Sequence, residues 1–146
     1  MKRYTRGFTL IELLVVIAII GILASVVLVS LQSARRKGND TRVIANVQQM
    51  RTQLESDYNG SAYPTITAAD TVPATGNYVT LAADATANNG GVTAILLRTN
   101  ATSPFTTYAI YGRLPSDSTK YFCIDSTGNT NTGVTSAPAA NDVTCN

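Results

Sequence analysis

The 146-residue chain contains no histidine and no tryptophan, and it has only two cysteines and two methionines. Without histidine there is no Ser/His or Cys/His nucleophile pair and no HExxH zinc site. A glycine-rich phosphate loop is also missing, so the chain has no site of its own for ATP, and the sequence reads as a non-enzyme with no cofactor and no metal. Charge is sparse: eleven basic and nine acidic residues, a formal net charge of +2. Three of those eleven, Lys2, Arg3 and Arg6, precede Gly7, so a chain cut there keeps eight basic against nine acidic side chains. A balance so close to neutral argues against a general nucleic-acid binder.

What is present is unevenly spread. Nearly all the long aliphatic side chains come before Leu31, whereas Thr, Ala, Asn, Gly and Ser dominate after Asn59. A C-terminal part so composed can bury only a small core, so a partner element or a covalent staple is expected. Cys123 and Cys145 both lie in the last quarter. In a chain with an export-type N-terminus they read as one disulfide in an oxidising compartment, with a reduced pair as the alternative.

Residues 1–7 (MKRYTRG) are short, basic and polar. Residues 8–31 then run apolar on all sides with one charge, Glu12. At 1.5 Å per residue this run is about 36 Å long, enough to cross a bilayer core. After the basic cluster Arg35, Arg36 and Lys37, residues 32–58 turn one-sided. Val43, Val47, Met50, Leu54 and Tyr58 recur at helical spacing as a single stripe. One long helix, kinked or straight, is expected from about Phe8 to Asp57, and if it breaks, Gly38-Asn39-Asp40 is the place. Residues 59–146 are expected to form a small antiparallel sheet domain packed on that stripe. Its strand candidates are Tyr78–Leu81, Tyr108–Tyr111 and Lys120–Ile124. Residues 92–98 are ambiguous between strand and helix, and residues 125–133 (DSTGNTNTG) read as turn.

Glu12 is the anomaly. A carboxylate in a membrane helix costs about 2.5–3.5 kcal/mol on insertion scales. Near the helix end it can reach the interface, which is the plain reading. The sharper reading begins with a cut after Gly7, which gives Phe8 a positive α-amino group. The Glu12 carboxylate of one subunit then pairs with the Phe8 ammonium of another, and a misplaced subunit leaves both charges buried alone.

Around Gly7-Phe8-Thr9-Leu10-Ile11-Glu12 and the following apolar run, about the first third of the chain, the sequence closely resembles the type IV pilin family, including the pseudopilins of type II secretion. The resemblance implies an α+β pilin-like fold and cleavage between Gly7 and Phe8 by a prepilin peptidase, followed by N-methylation of Phe8. It also implies polymerisation with other pilin subunits on an inner-membrane assembly platform. Glu12, fifth after the scissile bond, matches the family's assembly glutamate. The implied location is a single-pass membrane protein with its C-terminal domain outside the cytoplasm, and then an extracellular pilus or a periplasmic pseudopilus. A filament subunit is the leading expectation; a secretion pseudopilin, or an anchored binding domain that never polymerises, are the alternatives. One departure is the lack of a proline in the later half of the apolar helix, where Val26-Val27-Leu28-Val29 stands.

Other features read more plainly. The basic cluster lacks interleaved aromatics for stacking bases, so lipid head groups or neighbouring subunits are its expected contacts. Asp125, Asn129 and Asn131 offer oxygens for calcium but fail the EF-hand spacing and are ordinary turn residues. Asn59-Gly60-Ser61 and Asn100-Ala101-Thr102 match the glycosylation sequon, as arises easily in a chain of this composition.

Overall fold

The computed structural model describes residues 7–68, 70–136 and 138–145; residues 1–6, most of the expected leader, lie outside them. In chain order the elements are α1 (Leu10–Asp57), α2 (Asn77–Asn88), β1 (Ile95–Thr99), β2 (Tyr108–Arg113), β3 (Tyr121–Asp125) and β4 (Thr130–Val134). The chain divides into two compact units, residues 1–35 and 36–146.

In the first unit the early turns of α1 expose their apolar side chains throughout, from Leu10 to Leu31. This segment packs on nothing within its own unit, and it is long and apolar enough to cross a membrane.

In the second unit four strands form a meander in the order β1-β2-β3-β4, every pair antiparallel. Side chains alternate across a strand. One face presents Ile95, Leu97, Tyr108, Ile110, Phe122 and Ile124 to the later part of α1, where Val43, Val47, Met50 and Leu54 are fully buried. The opposite face carries Ala109, Tyr111 and Cys123, covered in part by Cys145 and Val134. β2 is therefore buried on both sides, which accounts for its nearly unbroken apolar burial.

The helix approaches β2 most closely at Gly112. A Cβ there would lie 2.8 Å from both Val43 Cγ1 and Val47 Cγ2. Valine has one strongly preferred rotamer in a helix and cannot swing aside. Gly112→Ala is accordingly expected to destabilise the domain by about 1–3 kcal/mol, the usual cost of overpacking. Thermal unfolding of the detergent-solubilised protein measures it; an unchanged midpoint would mean that helix and sheet separate freely here.

Several expectations are corrected. Tyr58 does not extend the stripe: α1 ends at Asp57 and Tyr58 is 42% exposed, stacked on Tyr63 with ring centroids 4.8 Å apart. The stripe instead includes Asn46, only 7% exposed, whose Nδ2 donates to Asp84 Oδ2 at 2.8 Å. The expected single long helix is present, and α1 runs through Gly38-Asn39-Asp40 without a break. Asn39 Nδ2 donates to the Asn88 carbonyl at 2.9 Å, and the Asp40 carboxylate accepts the Ser116 N–H at 2.8 Å. These tertiary bonds offset the cost of about 1 kcal/mol for one helical glycine.

Tyr78–Leu81 is not a strand but the first turn of α2. Tyr78 and Ala85 are buried and Leu81 and Ala82 half-buried, a helical spacing that overrides the local strand preference of Tyr-Val-Thr. Residues 125–133 are only partly turn, since β4 begins at Thr130. The ambiguous residues 92–98 resolve into β1, which opens at Ile95.

Candidate functional site

The site is the start of α1 and the residues just before it. Thr9 directly precedes the first helical residue, so it occupies the N-cap, and Glu12 falls at the third helical position. The pair forms a reciprocal capping box. Thr9 N–H and Thr9 Oγ1 both donate to Glu12 Oε2, at 2.9 and 2.7 Å. The Glu12 N–H in turn donates to Thr9 Oγ1 at 3.3 Å. Such a box satisfies orphan donors at the helix start and sets a negative charge against the positive end of the helix dipole. Both bonds to the carboxylate fall on Oε2, and Oε1 has no partner among the described residues.

Sequence reasoning treated Glu12 as a lone charge and missed this arrangement. The signal was available: Thr-x-x-Glu immediately before an apolar run is the written form of a capping box.

Gly7 and Phe8 lie just outside the helix, and Phe8 is 77% exposed. A Cβ built on Gly7 meets nothing within 4 Å. Packing among the described residues thus gives no reason for glycine at this position. The remaining leader residues of the expected cleavage segment, 1–6, are outside the described residues.

At the other end of the chain, Cys123 and Cys145 are joined by a disulfide, with Cα atoms 5.6 Å apart. It lies on the sheet face away from the α1 stripe, among Ala109, Tyr111, Tyr121 and Val134. The tail is held there by further bonds. Tyr111 Oη donates to the Thr144 carbonyl at 2.6 Å, and Asn131 Nδ2 to the Cys145 carbonyl at 3.3 Å.

Asp125 is buried, and its Oδ1 accepts from Thr127 Oγ1 at 2.6 Å and from the N–H groups of Thr127 and Asn129, each at 3.0 Å. Burial pushes this carboxyl up, but those bonds and the Cys145 N–H outweigh it and hold it below the usual carboxylate range. Asp125 Oδ1 is therefore spent on the β3–β4 turn, while the side-chain amides of Asn129 and Asn131 donate to Thr127 Oγ1 at 3.1 Å and to the Cys145 carbonyl at 3.3 Å. A carboxylate depressed by folding contributes stability that is full above its unfolded value of about 3.9 and is lost as pH falls through the folded value. Acidification below about pH 4 should therefore weaken the domain. In urea unfolding at pH 7 and pH 3, Asp125→Asn should lose less stability between the two than the native chain. An equal loss would place the acid sensitivity elsewhere.

Asp117 precedes β3 while Asp125 ends it, so these two carboxylates stand at opposite ends of one strand. Among the described residues no group of three His, Cys, Asp or Glu side chains converges as a metal site. Arg35, Arg36 and Lys37 are exposed and form no ion pair among the described residues. Both sequon asparagines brace their own loops. Asn59 Oδ1 accepts from Ser61 and Ala62 N–H, and Asn100 Oδ1 from Thr106 and Thr107 N–H.

Comparison with known proteins bears on the same N-terminal segment. Residues 2–28 match the prokaryotic N-terminal methylation motif. The type II secretion system core protein G of Dickeya chrysanthemi is 38% identical over 66 residues, 44% of this chain and 43% of that protein. The type IV major fimbrial protein FimA of Dichelobacter nodosus is 45% identical over 56 residues, 38% of this chain and 36% of that protein. The type IV wide pilus major component PilA4 of Thermus thermophilus is 60% identical over 43 residues, 30% of this chain and 33% of that protein. The matched stretch thus spans less than half the length of each relative. No solved structure matches the chain.

Proposed function

We propose that this chain is a structural subunit of a type IV pilus-like filament, processed between Gly7 and Phe8 and polymerised through the apolar half of α1. The observation that carries the reading is an exposed, all-round apolar segment interrupted by one carboxylate, in the stretch that matches the methylation motif. Hydrolysis of the Gly7–Phe8 peptide bond by a prepilin peptidase frees the Phe8 amine, whose lone pair then takes a methyl group from a sulfonium-type methyl donor; the donor leaves as the thioether and the nitrogen loses one proton. The open approach to Gly7 supports this, because a side chain there would crowd a protease and not the fold.

Before assembly the apolar segment anchors the subunit in the bilayer, with residues 36–146 outside the cytoplasm. That orientation agrees with a disulfide at Cys123–Cys145. On a membrane platform the segments leave lipid and bundle. Glu12 keeps Oε2 on its own helix start and offers Oε1 to the Phe8 ammonium of a neighbour, which sets the stagger between subunits. The chain contributes packing and register, and the work of extrusion belongs to other proteins.

A type II secretion pseudopilin is the second reading, favoured by the longer aligned stretch with core protein G. The two readings share the processing step and differ in where the filament ends: beyond the cell, or within the periplasm. Intact mass of protein recovered from sheared filaments tests the processing. It should correspond to residues 8–146 plus one methyl group, with the disulfide formed. A mass that retains Met1, or an N-terminus within or beyond the apolar run, would replace this reading with an ordinary export signal or an uncut anchor.

A further inference from the structure

Away from the assembly segment, the second unit contains a polar cleft of about 330 Å³ beside the first turns of its helix. Arg36 and Asn39 of α1 line one side, Asn88 and Asn89 at the end of α2 another, and Arg113 and Ser118 the third. Arg113 is half-buried, and its Nε donates to the Ser118 carbonyl at 2.8 Å. That bond fixes the guanidinium while its Nη atoms make no hydrogen bond among the described residues. Arg36 is exposed and forms no ion pair among the described residues. A third guanidinium, Arg42, donates to Asn88 Oδ1 at 3.0 Å and so holds one lining side chain in place.

The acidic groups nearby are already engaged. Asp40 accepts the Ser116 N–H, Asp84 accepts from Asn46, and Asp117 pairs with Lys120 at 3.3 Å. The cleft therefore keeps a surplus of positive charge with forked donors, the geometry that suits a phosphate group. The C-terminal end of α2 works against an anion, so binding depends on both arginines.

We infer that this cleft binds the phosphate of an anionic glycerophospholipid head group. The argument for a lipid source is chain position. Arg36 follows the last residue of the apolar run, Leu31, by five positions, about 7.5 Å of helical rise. The head-group layer on each side of a bilayer core is about 5–8 Å deep. This step rests on the membrane reading of that run, whereas recognition of the phosphate itself does not.

The test uses the full chain in detergent micelles, titrated with short-chain phosphatidylglycerol, short-chain phosphatidylcholine and inorganic phosphate while side-chain NMR signals of Arg36, Arg113 and Asn88 are followed. Phosphatidylglycerol should shift all three saturably, and Arg113→Gln or Arg36→Gln should each weaken it about five- to tenfold. Lys37→Gln, which removes an adjacent charge outside the cleft, should change affinity by less than about twofold. A general attraction of basic residues to acidic lipid predicts that Lys37 matters as much as Arg36 and that Arg113 does not matter; that pattern overturns the site. An equal response to inorganic phosphate overturns the lipid assignment, and an equal response to phosphatidylcholine overturns selection for acidic head groups. None of these titrations requires cleavage or polymerisation, so their failure is separable from failure of the filament reading.

Discussion

Glu12→Ala should leave the subunit in the membrane and nearly abolish its entry into filaments. Loss of the carboxylate removes an insertion cost of at most about 2.5–3.5 kcal/mol, the value for a charge at mid-membrane, so anchoring is not weakened. Assembly suffers in the opposite sense. Stripping one partner from a buried ion pair costs about 3–5 kcal/mol, roughly two to three and a half orders of magnitude in subunit affinity, because the remaining ammonium is stranded. The capping box complicates this expectation, since alanine also removes the helix-start bonds from Thr9. Two further variants separate the effects. Glu12→Gln can still accept from Thr9 and serves a capping box as well as glutamate does, but it carries no charge. Thr9→Ala keeps the charge and weakens the cap by about 0.5–2 kcal/mol. Pairing with a neighbour predicts that glutamine fails as badly as alanine while Thr9→Ala assembles. Capping alone predicts the reverse, and an anchored domain that never polymerises predicts no difference among them. The readout is the ratio of subunit in sheared filaments to subunit in membranes.

Opening the disulfide should be the most damaging change to the small domain. The bridge spans 22 positions, and closing a loop of that size is worth about 3 kcal/mol in the chain-entropy estimate. The domain has little else with which to absorb such a loss, because its core is one helical stripe on one sheet face. Cys123 is fully buried, so serine there would add an unsatisfied hydroxyl; Cys123→Ala with Cys145→Ala is the cleaner variant. Unfolding of the double variant should fall by about 2–4 kcal/mol, with the tail after β4 lost first to proteolysis. The bonds from Tyr111 and Asn131 to the tail will hold part of it. A stability within about 0.5 kcal/mol of the native chain would show that those bonds suffice and that the bridge is incidental.

How far the sequence could be read depended on which force dominates at each element. The burial of Val43, Val47, Met50 and Leu54 was legible because a small sheet must cover a helix stripe and the spacing declares it. β2 and β3 were legible for a similar reason, being rich in aromatic and β-branched residues. α2 was not, because its buried side is made of alanine and one tyrosine and its local signal reads Tyr-Val-Thr. β4 was hidden because Asn131 and Gly133, residue types depleted in strands, interrupt its two threonines. It forms because β3 offers an edge to pair with, and it remains partly exposed there. Continuity through Gly38 rests on long-range bonds from Asn39 and Asp40 that no local rule contains.

At the site, the unusual charge at Glu12 was plain from the sequence, and two cysteines leave one possible pairing. The partial occupation of Glu12 by Thr9 required geometry to see. It changes the physical description of the residue proposed to set assembly: within one chain the carboxylate is half satisfied, with one oxygen open among the described residues.

The sharpest test is a filament grown from a mixture of subunits, half labelled with ¹⁵N and half with ¹³C, examined by solid-state NMR. Magnetisation should pass from the Phe8 amine nitrogen to the Glu12 carboxyl carbon, a transfer that in such a mixture can only join two different chains. If that signal is missing from the mixture and appears only when both labels share one chain, each glutamate serves its own helix and the proposed register between subunits is wrong.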